Sequence, residues 1–147
     1  MSIFKGINIS AGGLTAQRTR MDVIAKNIAN STTTRAQNGE PYRRQVAVFK
    51  AAEGQSSFRE ILNKKKMRVS SHEGVELVGI VDDKSPFRTV YDPGHPDADA
   101  QGYVKRSNVD PVTEMVDMIS ATRSYEANVT ALSATKSMLL KALEIGK

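Results

Sequence analysis

Cysteine and tryptophan are absent from the chain, histidine occurs twice, and aromatic residues fill 5% of its 147 positions. Each shortage excludes something. Without cysteine there can be no disulfide and no thiolate metal site, although that alone assigns no compartment. A zinc site built on His72 and His95 would need carboxylates gathered from afar, so each histidine reads as a loop residue. A chain this poor in aromatics has an aliphatic, modest core. No apolar run approaches the ~20 residues of a membrane span. The opening "MSIFKGINISAGG" has one lysine and no apolar block of roughly 7–15 residues, so no cleavable secretory signal is expected. These signals alone would place the chain in the cytoplasm. Motifs of catalysis are missing too: no GxSxG, HExxH, phosphate loop or dinucleotide fingerprint occurs.

The net charge of +5 is unevenly spread. Residues 1–50 carry eight basic against two acidic side chains, whereas 51–110 and 111–147 are close to neutral. A basic excess fits either nucleic-acid binding or a solvated, subunit-facing surface. The eight aromatics do not interleave with Lys and Arg on one face, which argues against the first. The closest approach to a metal motif is "DPGHPDADAQG", residues 92–102. Asp97, Asp99 and Gln101 have the spacing of half a calcium loop, but Asn108 stands where a bidentate Glu is needed. It reads as a turn-rich loop. No metal, cofactor, small-molecule substrate or catalytic residue is expected.

What is present is periodicity. In "NVDPVTEMVDMISATRSYEANVTALSATKSMLLKALEIGK", Asp110 is placed to cap a helix and Pro111 to open it. Glu114 and Asp117 fall near the positive end of its dipole. Met118, Tyr125, Leu132 and Leu139 recur every seven residues, and Met115, Thr122, Val129 and Leu143 take companion positions, with Lys136 a misfit. The pattern predicts one helix over about 111–145. Near the other end Ile7, Leu14, Met21 and Ile28 are also seven apart, with Ile3 and Ile24 as companions, predicting a helix over roughly 3–30. "SAGG" at 10–13 weakens it, since each Gly costs about 1 kcal/mol relative to Ala. Asn30 suits a left-handed C-terminal position.

Between the helices "PYRRQVAVFK", "GVELVGIVDD", "PFRTVYDP" and "GYVKRS" read as short strands, "SFREIL" as a helical turn, and "NKKKMRVSSH" as a mobile loop. The expected fold is therefore α+β, with long amphipathic helices forming a coiled-coil-like domain around a small β-rich module. Its segments are 1–34 (helix and junction), 35–109 (β-rich middle, mobile near 51–72) and 110–147 (second helix). Two readings of the helices compete: both packed on one sheet, or paired as an antiparallel or staggered coiled coil. A 35-residue helix far exceeds the mean of about 11–12, and at 1.5 Å per residue spans about 50 Å, more than the middle could cover. The second reading is favoured, and the leftover apolar stripe then implies assembly.

The stretch "ISAGGLTAQRTRMDVIAKNIANSTTTR" followed by "PYRRQVAVF" resembles the N-terminal signature of the flagellar rod, hook and hook-associated axial family. Arg35 and "PYRR" are similar to its proximal rod members. The likeness continues through "VYDPGHPDADAQGYVKRSNVDPVTEMVDMISATRSYEANV" and is weakest over 51–74. The family pattern ends in Thr-Thr-Gly-Phe, whereas here Ser31 to Thr34 run into Arg35, which suits the proximal rod and not the hook or distal rod protein. The lysine-rich 59–68 piece maps onto nothing in the family. The resemblance implies a non-enzymatic structural subunit of the basal-body rod, which crosses the periplasm and transmits torque. It would be made in the cytoplasm and exported by the flagellar type III apparatus without a cleaved signal. Its partners would be copies of itself, the other rod subunits including the distal rod protein, and the adaptor to the MS ring, with no nucleic acid. Ile7, Leu14, Met21, Ile24, Ile28, Met118, Tyr125, Val129, Leu132 and Leu139 would form the assembly seam. Asn27, Asn30, Thr32, Thr33 and Arg35 would contact neighbouring subunits, the amides as donors and acceptors and the hydroxyls without added charge. A rival role for that junction is an export signal.

Overall fold

Asp110 does what its position promises. Its carboxylate accepts hydrogen bonds from the Thr113 hydroxyl (2.7 Å) and from the backbone of Val112 and Thr113, and Pro111 opens the helix. The computed structural model describes residues 3–36, 38–53 and 72–145. Within them lie helix α1 (Ile3–Ala29), strands β1 (Gln45–Glu53), β2 (His72–Asp82), β3 (Arg88–Tyr91) and β4 (Tyr103–Arg106), and helix α2 (Pro111–Ile145). The expected α+β composition is found, and both helices match their predicted spans within a residue. Residues 51–53 belong to β1 and His72 to β2; the rest of the loop expected near 51–72 lies outside the described residues. The "SFREIL" turn and the lysine-rich piece lie outside the described residues.

The chain divides into two compact units, and each draws on both helices and on the middle segment. One comprises Thr19–Val48 and Gly79–Thr122. Here α1 and α2 run antiparallel, bringing Met21 beside Thr122 and Asn27 beside Glu114. Its apolar core is Val23, Ile24, Val104, Val109 and Ala121, all under a tenth exposed. β3 and β4 form an antiparallel hairpin in the register Arg88↔Arg106 to Tyr91↔Tyr103. The rings of Tyr91 and Tyr103 meet edge-on at 5.3 Å. Gly102 ends the 92–102 loop with φ +81°, and a Cβ there would stand 2.9 Å from the Tyr91 ring, so both backbone and space demand glycine. Asp99 folds that loop inward, accepting from the backbone N–H of Gln101 and Tyr103.

The other unit comprises Met1–Arg18, Phe49–Val78 and Arg123–Lys147. Among its described residues only Ala16 is a buried apolar side chain. The helices are close here: a Cβ on Gly13 would lie 3.1 Å from the Asn128 amide oxygen. The glycine that weakens α1 as a helix is the one that admits α2.

On α2 the residues turned inward are Met118, Ala121, Tyr125, Asn128, Leu132, Thr135 and Leu139, spaced alternately by three and four. Met118, Tyr125, Leu132 and Leu139 are half-buried, as is their companion Thr122, which reaches the Met21 sulfur at 3.6 Å, whereas the companions Met115, Val129 and Leu143 are 51%, 43% and 69% exposed. Ala121, Asn128 and Thr135 take those places, and their small or polar side chains hid the line from a search for apolar ones. Lys136 thus stops being a misfit. On α1, Ile24 is buried, while Ile7, Leu14, Met21 and Ile28 are half-buried at the flank of an inner line of Ala16, Val23 and Asn27.

Candidate functional site

Three of the four largest fully buried side chains among the described residues, Glu114, Asn27 and Ser107, are polar; the fourth is Val104. Asn27 and Glu114 are each 1% exposed, and they touch. Burying an amide and a carboxylate in an aliphatic setting is unfavourable unless every lone pair and proton finds a partner. Asn27 finds all four. Its Nδ2 donates to the Gln45 carbonyl (2.8 Å) and to Glu114 Oε2 (3.0 Å). Its Oδ1 accepts from the Tyr42 hydroxyl (3.0 Å) and the Gln45 backbone N–H (2.9 Å). An amide has two donor and two acceptor places, so Asn27 has none left for a neighbouring subunit. The expectation of an intersubunit bond at Asn27 is corrected: its helix end is folded under the chain's own β1.

Glu114 is met from the other side by Arg44, whose Nε lies 2.6 Å from Oε1. The same guanidinium reaches Asp117 at 3.5 Å and Asp83 at 3.7 Å. Arg20 also reaches Asp117, at 3.5 Å. Burial works against the charge on Arg44, but Glu114, through its hydrogen bond and charge, together with Asp83 and Asp117, outweighs it and raises the pKa. Tyr42 is likewise pushed up, by burial first and then by the carboxylates of Asp82 and Glu114. Asp83 is held low, mainly by the hydroxyl and backbone N–H of Ser85, with Arg44 adding to it. Asn108 closes the arrangement, accepting from the Arg44 N–H (2.7 Å) and donating to the Asp83 and Ser85 carbonyls.

Each residue of "PYRR" therefore has work. Pro41 is buried, Tyr42 and Arg44 bond Asn27 and Glu114, and Arg43 lies 4.3 Å over the Phe87 ring while donating to the Asp83 and Ser85 carbonyls. Sequence reasoning missed Tyr42, Arg44, Asn108 and Glu114. Glu114 was credited to the helix dipole. The one available signal was an Arg beside a Tyr at a strand entrance, with an acidic residue in the first turn of a distant helix.

The hydroxyl-rich junction is mostly spent locally. Asn30 donates from its side chain to the Lys26 carbonyl (2.9 Å), and Ser31 to that of Ile28 (2.8 Å). Thr33 donates to the Asn30 amide oxygen (3.4 Å), and Thr34 to Asp97 (2.8 Å). Arg35, 74% exposed, approaches the same Asp97 at 3.9 Å. Thr32 is exposed. No described non-glycine residue has a positive φ, so the left-handed position expected of Asn30 is not used; its side chain caps α1 instead. Among the described residues no cluster of three or more His, Asp or Glu could hold a metal.

Fold and site define a mixed α+β protein in which, within Thr19–Val48 and Gly79–Thr122, the two helices are joined through a buried, satisfied polar cluster. Comparison with known proteins is specific about its kind. The family described as "Flagella basal body rod protein" matches residues 7–37, and that described as "Flagellar basal body rod FlgEFG protein C-terminal" matches residues 100–145. The chain is 55% identical to the flagellar basal-body rod protein FlgC of Bacillus subtilis, with both chains covered in full. It is 45% identical to that of Borreliella burgdorferi (99% of this chain, 98% of the other) and 39% identical to that of Salmonella typhimurium over all of both. The chain belongs to the FlgC family of flagellar basal-body rod proteins.

Proposed function

We propose that the chain is a subunit of the proximal rod, polymerising through its two long helices by head-to-tail contacts and carrying torque without turnover or cofactor. An open, heterologous contact is what extends into a filament. The similarity to FlgC proteins over the whole chain carries this reading. It is supported by the apolar side chains α2 leaves outside: Val112, Met115, Val116 and Ile119, each more than half exposed, form one stripe at helical spacing. Ile7, Leu14, Met21, Ile24, Ile28, Met118, Tyr125, Leu132 and Leu139 are proposed as the apolar seam of the assembly, with Val129 facing a neighbour. Thr32 and Arg35, the most exposed of the motif residues, are the ones left to meet another subunit. Partners would be further copies, the other rod proteins and the MS-ring adaptor, reached after export by the type III apparatus.

Nucleic-acid binding finds no support. Four of the eight basic side chains in residues 1–50 are engaged within the chain: Arg20 with Asp117, Arg43 with Phe87, Arg44 with Glu114 and Lys50 with Glu76. Deleting the gene and imaging basal bodies tests the rod reading. Truncated rods and lost motility are expected, and complete rods in a motile deletion strain would refute it.

A further inference from the structure

We propose that Asn27, Arg44 and Glu114 are positioning residues that fix how far α1 and α2 slide past one another. The apolar lines cannot do this alone. Both helices repeat every seven residues, through Ile7, Leu14, Met21 and Ile28 on α1 and Met118, Tyr125, Leu132 and Leu139 on α2. Hydrophobic contact is non-directional, so a slip of one heptad, about 10 Å at 1.5 Å per residue, sets apolar against apolar again. The polar cluster has no such repeat. Seven residues after Glu114 stands Ala121, buried and without a polar atom in its side chain; seven before it stands Ser107, outside the helix. A slip would leave the buried Asn27 amide and the Arg44 Nε without the Glu114 carboxylate that both now bond. Buried ion pairs are weak sources of stability against an apolar replacement, but a single buried polar group can select one register among several. Registration of one chain's helices is independent of the rod assignment.

The full chain has no cysteine, so Asp22→Cys on α1 and Val116→Cys on α2, both exposed, take spin labels cleanly. The parent should give one distance. Asn27→Leu, Arg44→Met and Glu114→Leu together should lower the thermal midpoint but keep the helical signal at room temperature, and there spread the distance into populations about 10 Å apart. Moving the carboxylate with Glu114→Ala and Ala121→Glu should shift the distance by a similar step. An unchanged single distance in either variant overturns the proposal. So does unfolding of the apolar triple variant, because the cluster would then be stabilising the fold and not choosing its register.

Discussion

Asn27 and Thr32 lie five residues apart in one motif, and their surroundings separate them completely. Truncating Asn27 to Ala strands the Tyr42 hydroxyl, the Gln45 N–H and one oxygen of Glu114. Each buried group left unpaired costs about 1–3 kcal/mol, so a loss of roughly 3 kcal/mol or more is expected. Thr32→Ala should stay within about 0.5 kcal/mol, as exposed substitutions do. Urea unfolding followed by circular dichroism measures both, and equal effects would contradict the placement of Asn27. The titrating residues act at the two ends of the pH scale. Tyr42 holds its proton above the ordinary value of 10.0, so its contribution is full below about pH 10 and disappears above it, where the unfolded chain ionises first. Asp110 is held below its ordinary 3.8, chiefly by the Thr113 hydroxyl, so its contribution is present above that value and is lost as pH falls through the lowered one. Tyr42→Phe should flatten the alkaline limb of a stability profile and leave the acid limb alone, while Asp110→Asn, which keeps a capping oxygen, should do the reverse.

At the scale of the helices, adjacent glycines make opposite forecasts. Glycine to alanine inside a helix gains about 1 kcal/mol where space allows. Gly12 has only the Val75 carbonyl, at 3.5 Å, within reach of a new Cβ, so Gly12→Ala should raise the thermal midpoint. Gly13 faces three atoms of the Asn128 amide at 3.1–3.3 Å, so Gly13→Ala should lose that gain and recover it beside Asn128→Ala. A rise for Gly13→Ala alone would mean the helices are not this close. These elements also mark how far the sequence could be read. Periodicity, Pro111 and Asp110 were enough for both helices, because such signals are local. The inner companions Ala121, Asn128 and Thr135 were not legible, since their inward position depends on the partner helix and not on their own hydropathy. The polar cluster was out of reach for the same reason: Asn27 and Glu114 are separated by 87 residues, and each has a sufficient local explanation as a helix end or a dipole partner.

Over the whole molecule, apolar burial is concentrated in one unit. Six of the seven buried apolar side chains among the described residues, Pro41 included, and all three buried polar ones, belong to Thr19–Val48 and Gly79–Thr122. Regions with few buried contacts open at low free-energy cost. Limited proteolysis of the purified chain should therefore cut first within 1–18 and 123–147 and spare 19–29 and 111–122, although these belong to the same two helices. Uniform cutting along α1 or α2 would count against this division.

Swimming bacteria meet water of very different saltiness, and the cluster has a bearing on that. Exposed ion pairs such as Lys50 with Glu76, both about 60% exposed, contribute little at any salt and are weakened further as mobile ions screen them. Glu114, at 1% exposure, leaves no room for a counterion beside its bond to Arg44. The joint between the helices should thus hold equally well in fresh water and in brine. Thermal midpoints of the Glu76→Gln variant and the parent, compared between dilute and concentrated sodium chloride, should differ little from each other. A parent midpoint that falls steeply with added salt would show that ions reach the Arg44–Glu114 pair.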